Sequence, residues 1–208
     1  MMLGWSYDTK KYFQGDDKMT PKKPLPPSTK KIAAAILAVF AVLTFSRCTA
    51  EPPAGPTAFT ALDRFSFSFP PGWKLNEKEN PYDLQCISLK DDLVTGVFVI
   101  DRRDIAEATT AEDIFALQID DLRSKRQNFS LVEETKDAAD GGRRIKTVVY
   151  AGEKDVQKNY YIFSLVEFDD SDEFAVVIQT CFPSAWDEKK AVLEEIVGSC
   201  KTVRPTDE

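Results

Sequence analysis

Cys48, Cys86, Cys181 and Cys200 are the residues of this 208-residue chain whose chemistry depends most on compartment. Thiols persist in the cytoplasm, whereas an oxidising space joins them into disulfides. Cys181 ends a strand-like run, and Cys200 follows a helix-like run that doubles back beside it. A bridge between them would close a loop of 20 residues, worth about 3 kcal/mol. Cys86 is then a lone thiol, and burial is the usual fate of such a residue. A catalytic thiol is not expected, because the chain contains no histidine. That absence also removes Ser-His pairs, the commonest general base and the commonest transition-metal ligand.

The acids are the next candidates. Asp169-Asp170-Ser171-Asp172-Glu173 offers oxygen ligands for Ca²⁺, but lacks the Gly and the distant Glu of the usual calcium loop. A solvated hairpin turn accounts for it. Asp91-Asp92 and Asp120-Asp121 are read the same way, since adjacent acids on a strand or helix diverge and form no acid/base pair. Phe67, Phe69, Trp73, Tyr160, Tyr161, Phe163 and Phe168 have the composition of a ligand groove. Strand alternation turns half of each run inward, so core packing explains them better. Arg102-Arg103 and Arg143-Arg144 read as exposed pairs at turns, suited either to an acidic partner or to plain solvation. No catalytic, cofactor-binding or metal-ligating residue is assigned.

Charge is unevenly placed. Residues 1–31 carry seven Lys against three Asp, whereas residues 51–208 carry 19 Lys and Arg against 31 Asp and Glu. An acidic domain repels phosphates, and no basic stripe is present to release counterions, so nucleic acid is not an expected partner.

Between the two regions runs KKIAAAILAVFAVLTFSRCTA. Residues 32–46 are 15 uncharged residues, about 22 Å long as a helix. That is short for a bilayer core of about 30 Å, and at the upper end for a signal-peptide apolar region. The lysines before it favour export of everything after Cys48. Three endings stay open. The run is an uncleaved anchor, or a lipoprotein signal with Cys48 lipidated, or a signal cut after Ala50. Arg47 departs from the lipoprotein pattern, which puts a small residue before the cysteine. Residues 1–31 are a signal n-region or a basic cytoplasmic arm, and Met19 offers a more conventional start. Residues 47–61, rich in Pro and Ala, read as a tether. Residues 62–204 form the domain, and 205–208 a tail.

Within the domain, Phe65-Ser66-Phe67-Ser68-Phe69 alternates strictly, placing three Phe rings on one face of a strand. Pro70-Pro71-Gly72 ends it. Strands follow at 85–89 and 96–100. Thr110 to Arg126 is an amphipathic helix, with Thr110 and Asp113 spaced as a capping box. Further strands run over 129–135, 144–150, 159–168 and 174–182, with Gly141-Gly142 making a hairpin turn. A second helix spans 185–197, capped by Ser184 and stopped by Gly198, and a short strand closes at 199–203. Serial hairpins imply an antiparallel sheet of about six to eight strands. The expected class is α+β, with helices on both faces and one N-terminal apolar helix before it.

FSFSFPPGWK, residues 65–74, and the closing IVGSCK, residues 196–201, resemble the opening and closing segments of PsbP-like domains. The resemblance covers residues 62–204 and includes DcrB-like bacterial lipoproteins. It implies an α/β/α sandwich around a mostly antiparallel sheet. The motifs are structural, and fold does not carry function, so no functional residue is transferred.

These observations lead to an expectation: a membrane-tethered or secreted, non-catalytic binding or assembly domain of the bacterial cell envelope, partnered by an envelope protein and needing no cofactor. The alternative is an enzyme or small-ligand carrier built on a carboxylate-lined pocket of the same fold.

Overall fold

The computed structural model describes residues 55–203. The apolar segment 32–46 and Cys48 lie outside the described residues. Among those described, no helix is long and apolar enough to cross a membrane.

The chain forms β1 (Thr57–Ala61), β2 (Phe65–Phe69), β3 (Lys74–Leu75), β4 (Leu84–Ser88), β5 (Leu93–Asp101), α1 (Ala111–Ser124), β6 (Gln127–Asp140), β7 (Arg143–Lys154), β8 (Gln157–Phe168), β9 (Glu173–Cys181), α2 (Trp186–Gly198) and β10 (Lys201–Thr202). A seven-stranded sheet has the order β3-β4-β5-β9-β8-β7-β6, and a three-stranded sheet the order β1-β2-β10. Every pairing is antiparallel. The class is α+β, as the hairpin spacing predicts.

Alternation decides the packing. In β9, Phe174, Val176 and Ile178 enter one core cluster with Ala111, Phe115 and Ile119 of α1. Their neighbours Ala175, Val177 and Cys181 enter a second cluster with Leu193, Ile196 and Val197 of α2. Phe65, Phe67 and Phe69 are fully buried in this second cluster, each removing apolar area worth about 1.5–3 kcal/mol from water. Gly96 lets the 76–83 loop close over β5: a Cβ there would lie 2.5 Å from Cδ1 of the Tyr82 ring.

Several boundaries differ from the sequence reading, and three of the differences bear on how the domain closes. Thr57–Ala61, placed there in the tether, is a strand paired along its length with β2. Its cause is the spacing of Phe59 and Ala61, which turn toward the Phe cluster. Ser184 does not cap α2: Ala185 holds the cap position without a side-chain bond, and residues 183–185 form a 3₁₀ turn first. Gly198 does not stop α2 either. It is the last helical residue, and Ser199 follows in right-handed conformation with its hydroxyl bonded to Ile196 O at 2.7 Å.

The α1 end of the sheet is built by local rules. Thr110 Oγ1 accepts from Asp113 N at 3.1 Å, and Thr110 N donates to Asp113 Oδ2 at 2.8 Å. This is the predicted capping box. At the same end, Gly141 and Gly142 turn the hairpin between β7 and the edge strand β6 with φ of 57° and 83°, values that suit glycine at both central positions of a type I′ turn.

Candidate functional site

Register assembles the site. On β7 and β8, Arg144 stands directly opposite Glu167. Glu167 stands opposite Phe174 on β9, and Phe174 opposite Ile100 on β5. Arg102, just past β5, folds back over the Phe174 ring with its guanidinium carbon 5.1 Å from the centroid. Its Nη2 donates to Glu167 Oε1 at 2.5 Å. The Glu167 side chain is only 9% exposed, and a buried carboxylate without a partner would be costly. Arg102 supplies that partner.

Arg144 is placed differently. Its Nη2 lies 3.8 Å from Glu167 Oε1 and its Nε 3.7 Å from Asp169 Oδ1, while its side chain stays 59% exposed. Neither contact is within hydrogen-bond range. The guanidinium fork therefore faces outward, into a cleft of about 470 Å³ lined by Arg102, Thr109 to Glu112, Arg144, Glu167 to Asp169 and Ser171. The cleft lies between the N-terminal turn of α1 and the β8–β9 hairpin. Glu112 on its rim pairs with Lys146 at 3.4 Å. A hydrogen bond from its own backbone N–H is the main reason that the Glu112 carboxyl is held below its ordinary value. The cleft thus sets three carboxylates, Glu112, Glu167 and Asp169, against two guanidinium groups, Arg102 and Arg144.

Neither a family model nor a curated protein matches the sequence. Solved structures do match. The chain is similar to the cyanobacterial PsbP (CyanoP) of Synechocystis sp. PCC 6803, with a TM-score of 0.55 at 15% identity over 76% of this chain and 99% of that one. The fold is PsbP-like. The chain is also similar to the Saccharomyces cerevisiae Ran-binding protein Mog1p, with a TM-score of 0.51 at 13% identity over 71% of this chain and 95% of that one. At such identities the likeness concerns architecture alone.

The fold distributes the other sequence candidates among structural roles. Cys86, Cys181 and Cys200 are free, buried thiols in the α2-side cluster. Burial pushes their thiols up to about 12, 11 and 12 respectively. Phe67, Phe69, Trp73, Tyr161 and Phe163 are core residues. Tyr160 meets the Trp186 ring edge-on at 5.8 Å, and Phe168 stacks on Phe65 at 5.8 Å. Asp91 accepts from Ser88 at 2.9 Å and pairs with Lys189 at 2.9 Å. Asp120 pairs with Arg123, and Asp121 with Lys125 at 2.7 Å. The acidic turn is split: Asp169 enters the cleft, whereas Glu173 pairs with Arg64. Among the described residues no group of three His, Cys, Asp or Glu is arranged to hold a metal.

The Arg pairs need correction. Arg143 is not an exposed turn residue. Its side chain is 18% exposed, and its Nη1 donates to Gly198 O and to Cys200 O, closing the C-terminal end of α2. The cause is hairpin alternation: Arg143 and Arg144 point to opposite faces. Arg103 is committed to Asp101, its Nε donating at 2.9 Å. Glu167 was missed from sequence. Its signal is a charge at the next inward position after Tyr161, Phe163 and Leu165.

Proposed function

We propose that this chain is a non-catalytic binding or assembly domain of the bacterial cell envelope, in which α1 and α2 cover opposite faces of the large sheet and the Arg102–Arg144 cleft is the docking site. The apolar segment 32–46 carries the domain across the membrane and leaves it tethered there or released after cleavage. Cys181 and Cys200 are free in this structure but belong to one core cluster; in that oxidising space they would join as the bridged pair, and Cys48 is the residue available for lipid if the signal is a lipoprotein signal.

The observation that carries the docking role is the state of Arg144. Among the described residues it has two ion pairs and no hydrogen bond, beside a cleft large enough for several side chains. A photoreactive residue at Thr109, on the cleft lining, tests it in cells. A discrete adduct on illumination, lost when Arg144→Glu is added and absent from the same probe at the exposed hairpin residue Val156, is expected. Adducts of equal yield with Arg144→Glu would refute the docking role.

The cleft volume also favours a second reading, a small-ligand carrier, because ligand pockets run from about 300 to 1,000 Å³. The lining of Glu112, Glu167 and Asp169 matches the carboxylate-lined pocket that this alternative requires. Under it, the Thr109 probe yields no protein adduct.

A further inference from the structure

Resting on the docking role of the cleft, we infer that its occupant is a mixed-charge protein segment, in which an acidic side chain takes Arg144 and a neighbouring basic side chain takes Asp169. Arg102 is committed to Glu167 at 2.5 Å and covers Phe174, so it neutralises the buried carboxylate and has little to offer a partner. Arg144 is the opposite case. It reaches Asp169 only at 3.7 Å, and both side chains are mostly exposed, at 59% and 67%. An exposed pair of this kind contributes little to stability, so exchanging it for two new pairs with a partner costs little. Bidentate contact of a guanidinium with a carboxylate is stronger and directional.

The walls decide against simpler occupants. Glu112, at 52% exposure, and Asp169 repel a dianion such as phosphate, and Glu112 also occupies its own backbone N–H at the start of α1. A purely basic segment meets Arg144. A purely acidic one meets Glu112 and Asp169. A segment that alternates sign gives Arg144 and Asp169 an opposite charge each, while Glu112 keeps Lys146.

The test uses the full chain in nanodiscs and four fluorescent or competing probes: blocked peptides of alternating Glu and Lys, of Glu alone and of Lys alone, and inorganic phosphate. The alternating peptide is expected to bind about tenfold more tightly than either single-charge peptide. Arg144→Gln and, independently, Asp169→Asn each remove that preference, whereas Arg103→Gln, outside the cleft lining, leaves it intact. Competition by phosphate as strong as by the alternating peptide overturns the inference, and so does an equal or greater affinity for the all-Glu peptide. The Thr109 cross-link separates the two levels. An Arg144-dependent adduct without the peptide preference refutes the partner chemistry alone, and loss of the adduct refutes the docking role beneath it.

Discussion

Arg144 stands directly across the β7–β8 ladder from Glu167, yet its Nη2 stays 3.8 Å from the carboxylate. The bond to Glu167 goes instead to Arg102, from 65 residues away. Two arginines near one buried acid therefore divide the work, one holding the fold and the other facing the cleft.

Substitution separates these roles. Arg102→Met leaves Glu167 buried without its close partner and is expected to cost about 2 kcal/mol in urea unfolding. Arg144→Gln is expected to cost under about 0.5 kcal/mol, as for an exposed ion pair. Equal costs for the two variants would contradict the division.

Glu133 gives a pH signature. Lys190 donates to both its carboxylate oxygens at 2.6 Å, Trp186 Nε1 donates at 3.0 Å and Lys136 at 3.0 Å. Led by Lys190, these bonds lower the carboxyl from its ordinary 4.5 to about 2. A depressed folded-state value means stability that is complete above 4.5 and lost as pH falls toward 2. Glu133→Gln should therefore lower stability by about 1–2 kcal/mol at neutral pH, and thermal melts should show its deficit shrinking over that acid window. A deficit independent of pH would exclude the ionic origin.

Val156 sits at the tip of the β7–β8 hairpin with φ of 66° and is 98% exposed. A β-branched residue there is strained and packs on nothing that would compensate. Val156→Gly is expected to stabilise the domain by about 1 kcal/mol. A destabilised variant by denaturant titration would show that the strain is not felt.

Cysteine accessibility follows from burial. Cys86 is buried with its thiol pushed up to about 12, so it should not be alkylated by iodoacetamide in the folded protein. After denaturation without reductant, protein taken from the envelope should gain one adduct within the domain, on Cys86, with Cys181 and Cys200 bridged. Three adducts there would show that the pair is reduced.

How far the sequence reveals this molecule depends on whether a signal is local. The Phe65–Phe69 alternation, the Thr110–Asp113 box and the Gly141-Gly142 turn are each contained in a few residues, and each appears in the structure as read. β1 was hidden because Pro-rich sequence flanks it, and its strand character comes from pairing with β2. The end of α2 was misread for a similar reason: its carbonyls are satisfied by Arg143, 55 residues away. The cleft needs residues 102, 144 and 167 brought together by the order of four strands, and no short motif encodes that order. The pairs Arg102-Arg103 and Arg143-Arg144 were visible, but which member of each would face the cleft depends on register.

The compartment in which the domain works decides most of these roles. Protease digestion of cells whose outer barrier has been opened, followed by intact mass of the membrane-extracted protein, measures it directly. The domain should be digested while a cytoplasmic marker survives, and the mass should match a lipidated Cys48 start, a Glu51 start or the uncleaved chain. A domain that survives digestion until the cytoplasm itself is opened would contradict export, and with it the bridged cysteines and the envelope role.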